Sequence, residues 1–170
     1  RSLFGADDFA ERPTGTIQEL LLSHELGHQW FGNAVTPAEW DDLWLNESIT
    51  TYAQWLWLDE QGLQPLDRWA SRMLAARQGG SIDATGDPIL SNLFGFERYD
   101  GGAVVLHALR LELGDDRFFE LLRSWVEQNV QTARTTEDFI TLAERTAASD
   151  LGGFFDDWLF AVDLPDEYPE

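Results

Sequence analysis

The chain contains no cysteine and no lysine among its 170 residues. Without cysteine it forms neither a disulfide nor a thiolate, so a tetrahedral metal site would have to use histidine and carboxylate side chains. Only three histidines are present, which narrows the search for ligands. The lack of cysteine, together with the lack of a recognisable export signal, predicts a cytoplasmic location.

Basic residues are also scarce. Eleven arginines oppose 31 acidic residues, which leaves a formal net charge of −20. A chain with this charge repels the phosphate backbone, and we therefore expect no nucleic-acid partner. Acidic residues could attract cationic peptides, but a charged surface that maintains solubility is the simpler interpretation.

Long apolar runs are missing as well. No stretch approaches the ~18 residues that a bilayer-spanning helix needs, so no membrane segment is expected. The composition is still 44% hydrophobic, with eight tryptophans and eleven phenylalanines, which is enough for a packed core. Alternating strand patterns of useful length are absent. We expect residues 1–170 to form a single, mainly α segment with about seven helices.

Two of the predicted helices would carry a functional site. The first runs over about residues 16–31 and should end at Gly32 and Asn33. The second covers about residues 41–60 and is apolar on nearly every side, which is typical of a helix packed between others. The short connection between these helices allows them to pack against each other.

The first of these helices contains the sequence "HELGH". His24 and His28 are one turn apart, so both imidazoles can point at the same ion, and Glu25 lies about 100° around the axis, where it could act as a general base on a bound water. Glu47 interrupts the apolar second helix and is the candidate third ligand, because a carboxylate facing a core needs a partner. The competing interpretation is two buried core histidines and a surface glutamate.

Two nitrogens, one carboxylate and an open position suit zinc best, and such a centre hydrolyses amide bonds. The oxyanion formed in that reaction needs a further donor, which a tyrosine hydroxyl can provide. The three candidates are Tyr52, inside the second helix, Tyr99, beside two glycines, and Tyr168, near the carboxyl end. His107 lies in an apolar helix without a second ligand, so a core role is expected for it.

Three segments of the chain resemble a known family. The segment "HELGHQWFGNAVTPAEWDDLWLNES" is similar to the zinc-binding core of the gluzincin aminopeptidases, including the 18 residues between His28 and Glu47. The segment "YDGGAVVLHALR" resembles the Tyr-x-Lys/Arg-Gly-Ala stretch of that family, whose tyrosine stabilises the transition state, and this implies the same role for Tyr99. The segment "FFDDWLF" is similar to the end of the catalytic domain in some bacterial members.

The resemblance implies the helical half of a thermolysin-like zinc metallopeptidase catalytic domain, with one zinc ion and peptide substrates that lose their amino-terminal residues. Gly101 and Ser48 replace the basic residue and the glycine usual in the family, and residues 1–23 lack its Gly-x-Met-Glu-Asn strand. We therefore expect a fragment without the upstream strand subdomain. The alternatives are a thermolysin-like endopeptidase and a noncatalytic helical binding module that retains the motif.

Overall fold

The computed structural model describes residues 15–169, with side chains from residue 19 onward. The described part is mainly helical, with seven α-helices, which confirms the predicted fold class. Two three-residue strands and three short 3-10 turns complete it. The elements are α1 (Gly15–Gly27), β1 (Val35–Pro37), α2 (Trp44–Glu60), α3 (Leu66–Gly80), α4 (Asp100–Leu113), α5 (Asp115–Asn129), β2 (Thr132–Arg134), α6 (Thr136–Ala147) and α7 (Gly152–Trp158).

Helix α2 lies at the centre of the fold. It packs against α1, α3 and α4, and these neighbours explain why apolar residues occur on nearly every side of it. Helix α4 is the second central helix, and its middle turns are completely buried because small and branched apolar residues allow close packing. The described residues share one hydrophobic core.

Aromatic rings connect α2 to the far side of this core. Phe139 of α6 lies between Trp44 and Trp125, with ring centroids 5.5 Å and 5.3 Å away and nearly perpendicular planes. This edge-to-face geometry is favourable, and all three rings are almost completely buried. The start of α2 is therefore anchored to α5 and α6.

The connection between α1 and α2 is attached in two places, to β2 and to the start of α6. Strand β1 pairs in parallel with β2, in the register Val35 to Thr132. The buried carboxylate of Asp42 accepts hydrogen bonds from the backbone N–H and the hydroxyl of Thr136, at 2.7 Å and 2.9 Å. These bonds fix the chain just before the turn of α2 that carries Glu47.

Both helices of the predicted site are shorter than expected at one end. Helix α1 ends at Gly27 and not near Phe31, because turns follow that lead to Gly32, which has a φ of +130°. Helix α2 begins at Trp44 and not at Asp41, because the preceding residues form a 3-10 turn. None of the described helices is long and apolar enough to cross a bilayer.

Removing the ring at position 139 should strongly destabilise the fold. We expect Phe139→Ala to lower the free energy of unfolding by about 3–5 kcal/mol, because it leaves a cavity between two tryptophans. Urea denaturation followed by tryptophan fluorescence measures the change. Leu90→Ala is the matched control, since Leu90 is 77% exposed and should change stability by less than about 0.5 kcal/mol. Equal effects of the two substitutions would contradict the proposed core.

The net charge of −20 predicts a stability that depends on salt. Repulsion between like charges opposes the compact state, and dissolved ions screen it. We expect the melting temperature to rise by several degrees between about 0.05 M and 1 M potassium chloride. Calorimetric scans would measure this rise. A melting temperature that falls or stays constant would show that repulsion does not limit stability.

Candidate metal centre

The close crossing of α1 and α2 forms the candidate centre. Gly27 faces Thr50 across the contact, and a Cβ atom at Gly27 would lie only 3.0 Å from the Thr50 methyl carbon. The missing side chain therefore lets the two backbones approach. The crossing brings His24 and His28 of α1 next to Glu47 in the first turn of α2.

Three potential ligand atoms meet at this point. Glu47 Oε2 lies 3.3 Å from His24 Nε2 and 3.4 Å from His28 Nε2. One ligand atom from each of the three residues lies within 4.8 Å of the others, and no other group of this kind occurs among the side chains that the structure describes. The three side chains are only 13–21% exposed, so the group is accessible from one side.

The two separations from Glu47 to the histidine nitrogens fit a zinc ion. A tetrahedral ion bound at 2.0–2.2 Å holds its ligand atoms about 3.3–3.6 Å apart. Charge-assisted hydrogen bonds between a nitrogen and a carboxylate are shorter, usually about 2.7–2.9 Å. The donor set of two imidazoles and one carboxylate also leaves a coordination position for water or substrate, as catalytic zinc sites require.

A backbone carbonyl sets the orientation of His28. The imidazole Nδ1 lies 3.0 Å from the Phe31 carbonyl oxygen, which can only accept, so Nδ1 carries the proton. The other nitrogen, Nε2, faces Glu47 and is the one that the neutral tautomer leaves free for a metal. The turn that places this carbonyl continues to Gly32, where a Cβ atom would lie 3.5 Å from the same imidazole nitrogen. Sequence reasoning missed this partner, because any residue type provides a carbonyl.

Tyr99 lies beside the histidines. Its ring is 6.0 Å from the His24 ring, and the two planes are inclined by only 26°. Burial, and then the negative charges of Glu47 and Glu25, raise the pKa of Tyr99 to about 12. The hydroxyl therefore remains a hydrogen-bond donor at neutral pH.

The other two tyrosines lie elsewhere. The Tyr52 hydroxyl is buried 3.1 Å from His107 Nδ1, and the Tyr168 hydroxyl donates to the Ala70 carbonyl at 3.0 Å. Burial lowers the pKa of His107 to about 4, so this histidine is a neutral core residue. The structure thus brings Tyr99 to the histidine pair and keeps the other candidates away from it.

Asp100 is a residue of the site that sequence reasoning missed. It is the first residue of α4, and its carboxylate accepts a hydrogen bond of 3.1 Å from the Trp55 indole N–H. Burial raises the pKa of Asp100 to about 6, although this hydrogen bond and the charge of His24 act in the opposite direction. An acidic residue directly after the candidate tyrosine was the available signal.

A cleft of about 540 Å³ connects these groups. Its polar end contains the candidate ligands together with Glu25, Tyr99 and Asp100. The rest is bordered mainly by apolar side chains, which are Leu20, Leu21, Trp55, Leu58 and Trp69. The arrangement can hold a cation beside a carboxylate and a phenol, with space for an organic substrate.

The chain is similar to known proteins in sequence and in structure. The sequence matches the Peptidase family M1 domain over residues 6–158. Aminopeptidase N from Lactococcus lactis subsp. lactis is 30% identical over 82% of this chain, and aminopeptidase N from Streptomyces lividans is 29% identical over 84% of it. Both matches cover 18% of the relative, so the chain spans about a fifth of the length of these proteins.

Solved structures show the same fold. An M1 zinc metallopeptidase from Deinococcus radiodurans, solved as a mutant bound to a Tyr-Ser-Ala substrate, is 32% identical with a TM-score of 0.82. The match covers 93% of this chain and 36% of that one. Zinc is thus the metal of the similar solved structure, and the donor set found here suits it. The family match covers most of the sequence, and the chain belongs to peptidase family M1.

Proposed function

We propose that the chain provides the metal centre of a zinc-dependent aminopeptidase, in which His24, His28 and Glu47 bind the ion. One observation carries this proposal: the Glu47 carboxylate lies at metal-ligand separations from both histidine nitrogens, beside a tyrosine and in a cleft that can admit a peptide. The relatives named aminopeptidase N support the removal of amino-terminal residues. The comparisons do not favour the endopeptidase or the noncatalytic module.

Two polar side chains of the cleft, Glu25 and Tyr99, act beside the metal ion in the proposed reaction. Zinc, when bound, polarises the scissile carbonyl and lowers the pKa of water. Glu25 is exposed towards the same cleft and takes the proton of the attacking water, then passes it to the leaving amine. Tyr99, protonated at neutral pH, donates a hydrogen bond to the oxyanion of the tetrahedral intermediate.

A longer protein would complete the cleft. We propose that residues 1–170 are one helical segment of a catalytic domain and that an upstream strand subdomain forms the opposite wall. The apolar side chains of Leu22, Leu26 and Trp30 are more than half exposed along α1 and its following turn, which is consistent with a missing neighbour. The absence of a nucleic-acid partner and the cytoplasmic location stay predictions.

Zinc binding should depend on Glu47. We expect about one zinc ion per purified chain, and Glu47→Ala should weaken zinc affinity by more than ~100-fold, because even residues that only orient ligands contribute 10–100-fold. Elemental analysis and competition with a chelator measure both quantities. Glu60→Ala, an exposed residue of the same helix, should leave affinity unchanged. Zinc that binds equally well without Glu47 would refute the ligand set.

Catalysis should require Glu25 and Tyr99 without requiring them for metal binding. In the complete protein we expect Glu25→Gln to lower kcat by about 100-fold to 10,000-fold and Tyr99→Phe by about 100-fold to 1,000-fold. Zinc content should remain near one, since neither residue is a proposed ligand. Amino-acid p-nitroanilides provide the assay.

The same assay can test the aminopeptidase assignment. Acetylation of the substrate's amino group should abolish cleavage by an aminopeptidase, whereas an endopeptidase would accept the acetylated peptide.

For the Tyr99→Phe variant, Tyr52→Phe serves as a matched control, because it also removes a tyrosine hydroxyl but one that lies in the core. Unchanged turnover in either site variant would contradict the assigned role.

A further inference from the structure

A buried hydrogen bond joins the residue after Glu47 to the residue before Tyr99. The Ser48 hydroxyl donates to the Arg98 carbonyl oxygen at 2.7 Å. Both residues are completely buried, so water cannot replace the donor. This bond connects α2, which carries the proposed ligand Glu47, directly to the turn that carries Tyr99.

The side chain of Arg98 is held from the opposite direction. Its guanidinium donates to Asp83 Oδ2 at 2.6 Å and to the carbonyls of Ala84 and Thr85 at 2.6 Å and 2.9 Å. All of these groups are buried, and buried charge-assisted hydrogen bonds of this length are strong. Arg98 is thus anchored to the preceding loop by its side chain and to α2 by its carbonyl.

Tyr99 itself lies outside the regular part of α4. It is the residue before the first helical one, so the direction of its side chain depends on the residues that hold its backbone. Its N–H bonds to the Phe96 carbonyl, and its carbonyl accepts from the Ala103 N–H. Both partners belong to the same stretch of chain. Two hydrogen bonds of the described residues connect this stretch to α2: Ser48 binds the residue before Tyr99, and Trp55 binds Asp100, the residue after it. The Ser48 bond is the one that starts directly beside the proposed ligand Glu47.

The hydroxyl of Ser48 occupies space that Gly102 leaves free. A Cβ atom at Gly102 would lie 1.8 Å from Ser48 Oγ and 2.6 Å from Ser48 Cβ. No residue with a side chain fits at position 102 unless Ser48 moves. The serine and the glycine are therefore complementary in shape, and the missing side chain of Gly102 allows α4 to approach α2 beside Ser48.

We propose that Ser48 is a positioning residue that sets the distance between the Tyr99 hydroxyl and the metal centre. The inference rests on the proposed function, in which Tyr99 donates to the oxyanion. The Ser48 hydrogen bond holds the Arg98 carbonyl against α2, and its two residues are the chain neighbours of Glu47 and Tyr99. Without this bond the turn keeps its bonds through Asp100 and the Arg98 side chain but loses its attachment beside Glu47. An error of about 1 Å in the position of a catalytic group can cost up to 100-fold in rate.

Kinetics of the complete protein can test this role. We expect Ser48→Ala to lower kcat about tenfold while KM changes less than about twofold, because the oxyanion exists only after substrate has bound. Zinc content should stay near one per chain, because the ligands are untouched. A change in KM alone, or a loss of zinc, would overturn the proposal.

A double-mutant cycle separates positioning from a general structural effect. In a Tyr99→Phe background the hydroxyl is gone, so Ser48→Ala should lower kcat no further. Full additivity of the two substitutions would overturn the proposal. If Tyr99→Phe alone leaves kcat unchanged, the proposed role of Tyr99 itself is wrong, and this outcome is distinct from a failure of Ser48→Ala.

Two further variants keep the test decisive if Ser48→Ala folds poorly. The exchange Ser48→Gly with Gly102→Ala supplies a methyl group from the opposite helix, with the Thr85 methyl carbon at 3.2 Å as its next neighbour. It should preserve the melting temperature better than Ser48→Ala but still lower kcat. Tyr52→Phe removes another buried hydroxyl of α2 and should lower only the melting temperature. An exchange variant with normal kcat would overturn the proposal.

Discussion

The contact between α1 and α2 at Gly27 and Thr50 is the constraint on which the candidate centre depends. Two helices can bring imidazoles and a carboxylate to 3.3–3.4 Å only when their backbones are close, and the missing side chain of Gly27 permits this approach. The aromatic rings around Phe139 and the bonds of Asp42 fix the start of α2 from the other side. The packing of the core thus determines the position of Glu47.

Charges in this chain act in two different environments. On the surface an excess of acidic residues keeps the chain strongly negative, and salt screens it. Inside, arginine is paired with acid where the loop before α4 folds, with Arg98 on Asp83 and Arg77 near Glu97. Removing either partner of such a pair would leave an uncompensated buried charge, so the loop has a well-defined conformation. That conformation places Tyr99 beside His24.

The proposed aminopeptidase mechanism requires these two regions to keep their mutual distance. Helices α1 and α2 supply the ligands, whereas the turn before α4 supplies the hydroxyl. The Ser48 hydrogen bond to the Arg98 carbonyl lies between them and is inaccessible to water. The gluzincin aminopeptidases usually have a glycine at this position. The serine found here therefore adds a hydrogen bond between α2 and the turn before α4, and Gly102 provides the space for its hydroxyl.

The sequence by itself determined the helical class, the histidine spacing and the candidates Glu25 and Glu47, because helical periodicity and ligand chemistry are local properties. The residues left three tyrosines open, and the family resemblance implied Tyr99. It could not identify the Phe31 carbonyl, the indole partner of Asp100 or the role of Ser48. These contacts join residues that are distant in sequence or use the backbone, which every residue carries. The turn after α1 decided the Phe31 contact, and only the packing of α1, α2 and α4 decided the others, because the distances between ligand, hydroxyl and partner arise when the helices meet.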